Sequence, residues 1–171
     1  EEWAGSGDGS ADRIGAFKQI CLEALREVRR EEPSAALLVD DRLGRTALHA
    51  AADDGCWIGR PIELPGSVPI EFEIGPDLGS RLAEWPVDHV VKCLIFYHPD
   101  DDEALRLLQE ERVLRLQDAC INTGHELLLE IIAGKSGPVN AETIARAVRR
   151  FYEIGVRPDW WKLEPPVSAA Q

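Results

Sequence analysis

Two of the chain's four lysines stand where a surface lysine would be out of place. Lys162 lies in "PDWWKLEPP", between two tryptophans and a leucine, and Lys92 lies in the apolar run "HVVKCLIFYHP". Arginine supplies 15 of the 19 basic residues, so general positive charge does not depend on lysine. Burial disfavours the charged form of a lysine by up to ~3–5 pKa units. An amine kept neutral in this way can attack a carbonyl and form a Schiff base. If the strand alternates, Trp160, Lys162 and Glu164 share one face, and either face predicts a desolvated Lys162. The competing reading is a buried ion pair between Lys162 and Glu164 or Glu130.

Lys92 follows the same logic, with Val90, Leu94 and Phe96 on its face. It could favour the neutral amine of Lys162 or hold a substrate carboxylate or phosphate. It could equally be an ion-paired lysine, or one snorkelling to a rim. Glu130, in "LLLEII", is a carboxylate in an otherwise apolar strand and could relay protons; an ion pair would also explain it. Asp40, Asp41, Glu71, Glu73 and Glu164, with His98, raise a divalent-metal alternative. Their spacings match no metal motif, so no metal and no organic cofactor is expected. No Ser or Cys has the sequence context of a nucleophile elbow. Cys21, Cys56, Cys93 and Cys120 lack C-x-x-C spacing and read as buried free thiols of a reducing compartment.

Elements must position these groups. Ser10 to about Glu31 predicts a helix with Ile14, Phe17, Cys21, Leu25 and Val28 on one side and Ser10 as its cap. "SAALLVDD" predicts a buried strand, and "RTALHAAADDG" a helix stopped by Gly55. Residues 56–59 and "PIEFEIG" predict extended pieces, and "LGSRLAEWP" a short helix. "HVVKCLIFYHP" is the strongest strand signal. The helix after it is capped by Asp100 and ended by Gly124. "HELLLEIIAG" predicts a strand, "NAETIARAVRRFYEIG" a helix capped by Asn140, and "DWWKLEP" a last strand.

Helices alternating with strands that are apolar on both faces predict an α/β fold with a parallel sheet. Asp40, Asp41, His98, Glu130 and Glu164 lie at or near the C-terminal ends of strands, where an α/β barrel keeps its active site. No G-x-G-x-x-G or Walker sequence follows a strand. The reading is an incomplete (β/α)8 barrel over residues 11–166, flanked by tails at 1–10 and 167–171. The first strand and the last two are missing from it. Such a sheet would show open edges and would associate, with missing parts or as a homo-oligomer. The net charge of −12 argues against nucleic acid and anionic membrane as partners. Without a signal sequence or an apolar run of ~18–20 residues, the expected location is the cytoplasm.

Four stretches carry a resemblance: "GRPIELPGS", "WPVDHVVKCLIFYHPDDDEALRLLQEE", "HELLLEIIAGKSGPV" and "IGVRPDWWKLEP". They resemble the barrel domain fused behind the sugar kinase of bacterial inositol catabolism, the 5-dehydro-2-deoxygluconokinase. That domain is similar to class I tagatose-bisphosphate aldolases. The resemblance implies a (β/α)8 barrel that cleaves 6-phospho-5-dehydro-2-deoxygluconate to dihydroxyacetone phosphate and malonate semialdehyde. It implies Lys162 as the Schiff-base lysine, Glu130 and Lys92 as catalytic partners, and Asp40 at a strand end facing the substrate. His98 and Glu164 join Asp40 as expected substrate contacts. A kinase domain, fused or separate, is an implied partner. The rivals are a metal-dependent lyase or epimerase on the same barrel, and a sugar-phosphate-binding domain without catalysis.

Overall fold

A computed structural model describes residues 9–135, 137–140 and 142–165. The tail expected at 167–171, Pro166, and all but the last two residues of the tail expected at 1–10 lie outside the described residues. In chain order the elements are α1 (Ser10–Val28), β1 (Leu37–Leu38), α2 (Asp41–Asp53), β2 (Ile58–Pro61) and α3 (Leu78–Leu82). There follow β3 (His89–Phe96), α4 (Glu103–Thr123), β4 (Leu127–Ile132), α5 (Thr143–Glu153) and β5 (Trp160–Leu163). The α/β alternation expected from the sequence is present. The chain divides into two compact units, one of residues 9–61 with 88–90, the other of residues 62–87 with 91–165.

In the first unit, β1 and β2 pair in parallel, Leu37 beside Ile58 and Leu38 beside Gly59. Leu22, Val39, Ala47, Leu48, Ala51 and Ile58 form its core. Asp40 caps α2, its Oδ2 accepting from the Leu43 amide at 2.7 Å, and it also pairs with Lys18. Gly44 lets the chain close up here, because a Cβ on it would lie 2.7 Å from a Val39 methyl. Three sequence expectations need correction. Gly9, with φ 94°, precedes α1 and Ser10 is its first residue, so Ser10 does not cap it. The inward face of α1 runs through Ile14 and Leu22, while Phe17 and Val28 are exposed. The strand expected in "SAALLVDD" shrinks to two residues because Asp40 ends it as a helix cap, and Leu38 is exposed.

The second unit holds most of β3, with β4 and β5. β3 pairs in parallel with β4, and β4 with β5. Val91, Cys93, Ile95, Leu127, Leu129 and Ile131, paired in register on one face of β3 and β4, are wholly or almost wholly buried. Asp102 caps α4 by accepting from the Ala104 and Leu105 amides at 3.0 and 3.2 Å. Asp100, the expected cap, instead turns to Arg146. Gly124, at φ 79°, ends α4 in a left-handed turn that a side chain would strain. Asn140 does not cap α5; it builds the preceding turn, its Oδ1 accepting from the Glu142 amide at 3.0 Å and the Thr143 hydroxyl at 3.1 Å.

"PIEFEIG" forms no strand. It folds back to make one antiparallel bridge, Glu63 with Phe72, fastened by Leu64 N–H to Glu71 O at 2.7 Å and Glu73 N–H to Ile62 O at 2.9 Å. Pro65 and Pro69 remove ladder donors there. Fully buried Gln109 holds the segment, accepting from Ile70 N–H at 3.3 Å and donating to Phe96 O at 2.9 Å. Among the described residues no helix is long and apolar enough to cross a membrane.

Candidate active site

The register of the second unit decides which side chains meet. Glu130 on β4 lies beside Lys162 on β5, and beside Leu94 on β3. Neighbours in register on parallel strands point to the same side, and so do residues two apart on one strand. Lys92, two before Leu94, therefore shares the face of Glu130 and Lys162. The Ile62 amide donates to Lys92 O at 3.0 Å, which brings Glu63 alongside β3.

β5 is only four residues long, so side chains hold it in this register. At its start Asp159 accepts from the Leu127 amide at 2.8 Å. At its end Glu164 accepts from the Ala133 amide at 2.7 Å and the Gly134 amide at 3.3 Å. Trp161 packs against Phe151 and Tyr152 of α5, and its indole N–H donates to the Tyr152 hydroxyl at 2.9 Å. Behind it, Tyr97 stacks on Phe151 at 4.8 Å. Tyr97 also donates to Glu110 at 2.6 Å, and Arg150 forks onto that same carboxylate.

The result is a row of four alternating charges. Lys92 Nζ lies 2.5 Å from Glu63 Oε1 and 3.1 Å from Glu130 Oε2, and Lys162 Nζ lies 2.7 Å from Glu130 Oε1. Side-chain exposure is 6% for Lys92, 10% for each glutamate and 55% for Lys162. The row is neutral in sum, so each buried charge has an opposite neighbour. Burial pushes the Glu130 carboxyl upward; the hydrogen bond from Lys162 and the charge of Lys92 outweigh it and hold Glu130 below the usual carboxylate range. Glu63 Oε2 and Glu130 Oε2 are buried, and neither has a hydrogen-bond partner among the described residues.

The structure thus brings Lys92, Glu130 and Lys162 together, as the strand patterns suggested. It corrects the expectation that Lys162 is heavily desolvated, because β5 is largely exposed along its length. Glu164 serves the β4 end as a clamp. His98 is buried, accepting from the Asp100 amide at its Nδ1 and lying with Nε2 3.1 Å from Pro138 O. Asp40 belongs to the other unit, where it caps α2. Glu71 and Glu73 are exposed. Sequence reasoning missed Glu63. Its signal was available in "PIELP": a single carboxylate between Ile62 and Leu64, framed by prolines. A cavity of about 300 Å³ lined by Ile70, Phe72, Leu78, Arg112 and Arg115 includes none of the four charged residues. Among the described residues no three His, Cys, Asp or Glu side chains gather as a metal site would require.

A lysine amine open to solvent and paired with a carboxylate is an arrangement suited to carbonyl chemistry. The bacterial family model described as "Uncharacterized protein conserved in bacteria (DUF2090)" matches residues 1–171. The chain belongs to the DUF2090 family. No curated protein matches it.

Proposed function

We propose that this member of the DUF2090 family is a class I aldolase, with Lys162 as its Schiff-base lysine. One observation carries the reading: Lys92, Glu130 and Lys162 converge on one face of β3, β4 and β5, with the Lys162 amine at the solvent end. In this reading Glu130 takes a proton from Lys162, whose amine adds to the keto carbon of a phosphorylated keto-sugar acid. Glu130 returns that proton to the carbinolamine hydroxyl, which leaves as water and gives an iminium. Glu130, again a carboxylate, takes the proton of the hydroxyl on the far carbon. In the same step that oxygen forms a carbonyl, the C–C bond breaks, and its electron pair enters the enamine. Protonation and hydrolysis release the second product and the free amine. Lys92 offsets charge on Glu130 or on a substrate oxyanion.

The substrate proposed is 6-phospho-5-dehydro-2-deoxygluconate, giving dihydroxyacetone phosphate and malonate semialdehyde. The finer fold reading, a (β/α)8 barrel kin to tagatose-bisphosphate aldolases, draws support from parallel strands alternating with helices. A sugar kinase, fused or separate, and a cytoplasmic setting belong to the same proposal, as do substrate contacts at His98 and Glu164. The high exposure of Lys162 favours a second reading, a sugar-phosphate-binding domain in which the lysine only pairs with Glu130.

Borohydride trapping separates the two. The protein is incubated with dihydroxyacetone phosphate, reduced, digested and mapped by mass spectrometry. A triose-phosphate adduct on Lys162 supports the aldolase. Binding without an adduct, unaffected by Lys162→Ala, supports the second reading.

A further inference from the structure

Glu63 is nine-tenths buried, and the mechanism above gives it no part. Its Oε1 accepts a hydrogen bond from the buried Lys92 ammonium at 2.5 Å. Glu130 Oε2 is farther from the same nitrogen, at 3.1 Å. The two carboxylates compete for one cation, and Glu63 holds the better geometry.

We propose that Glu63 is the positioning residue of this site: by holding the Lys92 ammonium closer to itself than to Glu130, it leaves Glu130 the stronger base for a proton from the substrate. This rests on the aldolase reading for its chemistry, though not for its electrostatics. With Glu63 neutral, Lys92 turns its full attraction and a hydrogen bond to Glu130. The like charge of Glu63, on the other side of Lys92, disappears in the same change. Both effects make Glu130 a weaker base.

The groups facing Glu130 are few. Lys92 approaches from β3, Lys162 from β5, and Glu63 from the segment after β2. Cys93 is within electrostatic reach, but burial first and Glu63 next push its thiol well above its ordinary value, so it stays uncharged.

The test uses Glu63→Gln, which keeps the shape of the side chain, and Glu63→Asp, which keeps its charge. The Glu130 carboxyl is followed by ¹³C NMR against pH and assigned through Glu130→Gln. We expect Glu130 to titrate lower in Glu63→Gln than in the parent chain, with Glu63→Asp between them. In parallel, exchange of the carbon-bound protons of dihydroxyacetone phosphate into deuterium oxide reports enamine formation. It should slow roughly ten- to hundred-fold in Glu63→Gln, while trapping on Lys162 persists. An unchanged titration of Glu130 overturns the proposal, as does an unchanged exchange rate in a variant that still traps substrate. If the parent chain neither traps nor exchanges while the titration still shifts, the aldolase reading fails and the control of Lys92 by Glu63 stands. If Glu63→Gln does not fold, Glu63→Asp decides by the same titration.

Discussion

Replacing Lys92 with methionine keeps most of the side chain's volume and removes its charge. Lys92 is almost fully buried, so solvent screens its interactions little. Glu130 keeps Lys162 as a partner, but Glu63 loses its only ion pair among the described residues. Removing one partner of a buried pair typically costs about 3–5 kcal/mol, because the other charge stays buried alone. Against a usual total of about 5–15 kcal/mol for a folded domain, that is a large loss. At about 2–4 °C per kcal/mol for chains of this size, Lys92→Met should melt about 6–20 °C lower. The second variant carries the test. Lys92→Met with Glu63→Leu removes both charges and leaves the Glu130–Lys162 pair intact, so it should recover most of the loss. Urea unfolding followed by tryptophan fluorescence and far-ultraviolet circular dichroism gives both values and their coupling. If Lys92→Met costs less than about 1 kcal/mol, or the double variant is no more stable than the single one, the pair does not hold its strands as argued.

Lys162→Met should abolish borohydride trapping yet change stability by less than about 1 kcal/mol, since the lysine is more than half exposed; a larger loss would mark Lys162 as structural. Glu110 and Glu130 are pushed up by burial and pulled further down by their Arg150, Tyr97, Lys162 and Lys92 partners. Their folded values lie below their unfolded ones, so their contribution is complete above the ordinary carboxylate range and is lost as pH falls through the folded values. Urea midpoints should therefore drop on acidification, with a shallower slope in Glu110→Gln; an equal slope would show that Glu110 is not linked to folding. Burial, with Asp159 nearby, pushes the Cys120 thiol up to about 12, and Cys93 is raised too. At pH 8 iodoacetamide should modify half-buried Cys21 first and spare both until urea is added; fast labelling of Cys93 or Cys120 in the native protein would contradict their burial.

Strand identity was legible at "HVVKCLIFYHP" and "HELLLEIIAG", where every side chain favours a strand buried on both faces. Lys92 and Glu130 followed, because a charge in such a strand has few reasons to be there. The caps were harder. Asp100, Asp101 and Asp102 are chemically alike; Arg146 engages Asp100 and the His98 amide donates to Asp101, which leaves Asp102 to cap α4. Glu63 was hidden for a related reason. Its burial comes from contact with Lys92, 29 positions away, and its segment is neither helix nor strand. The exposure of Lys162 could not be read from its apolar neighbours, because Trp161 spends its ring on α5 and Trp160 lies half open to solvent.

The gradient of exposure along the charged row has a practical side. The chain has four lysine amines, Lys18, Lys92, Lys135 and Lys162. One is shut inside the protein, and Lys18 is engaged by Asp40. Lys135 and Lys162 are the exposed ones, and Lys162 is the one of these two that is ion-paired with Glu130. Amine-directed aldehydes thus meet a chain with few competing targets. With Lys135 replaced by arginine, a fluorophore or affinity handle attached through such an aldehyde would report on the candidate site.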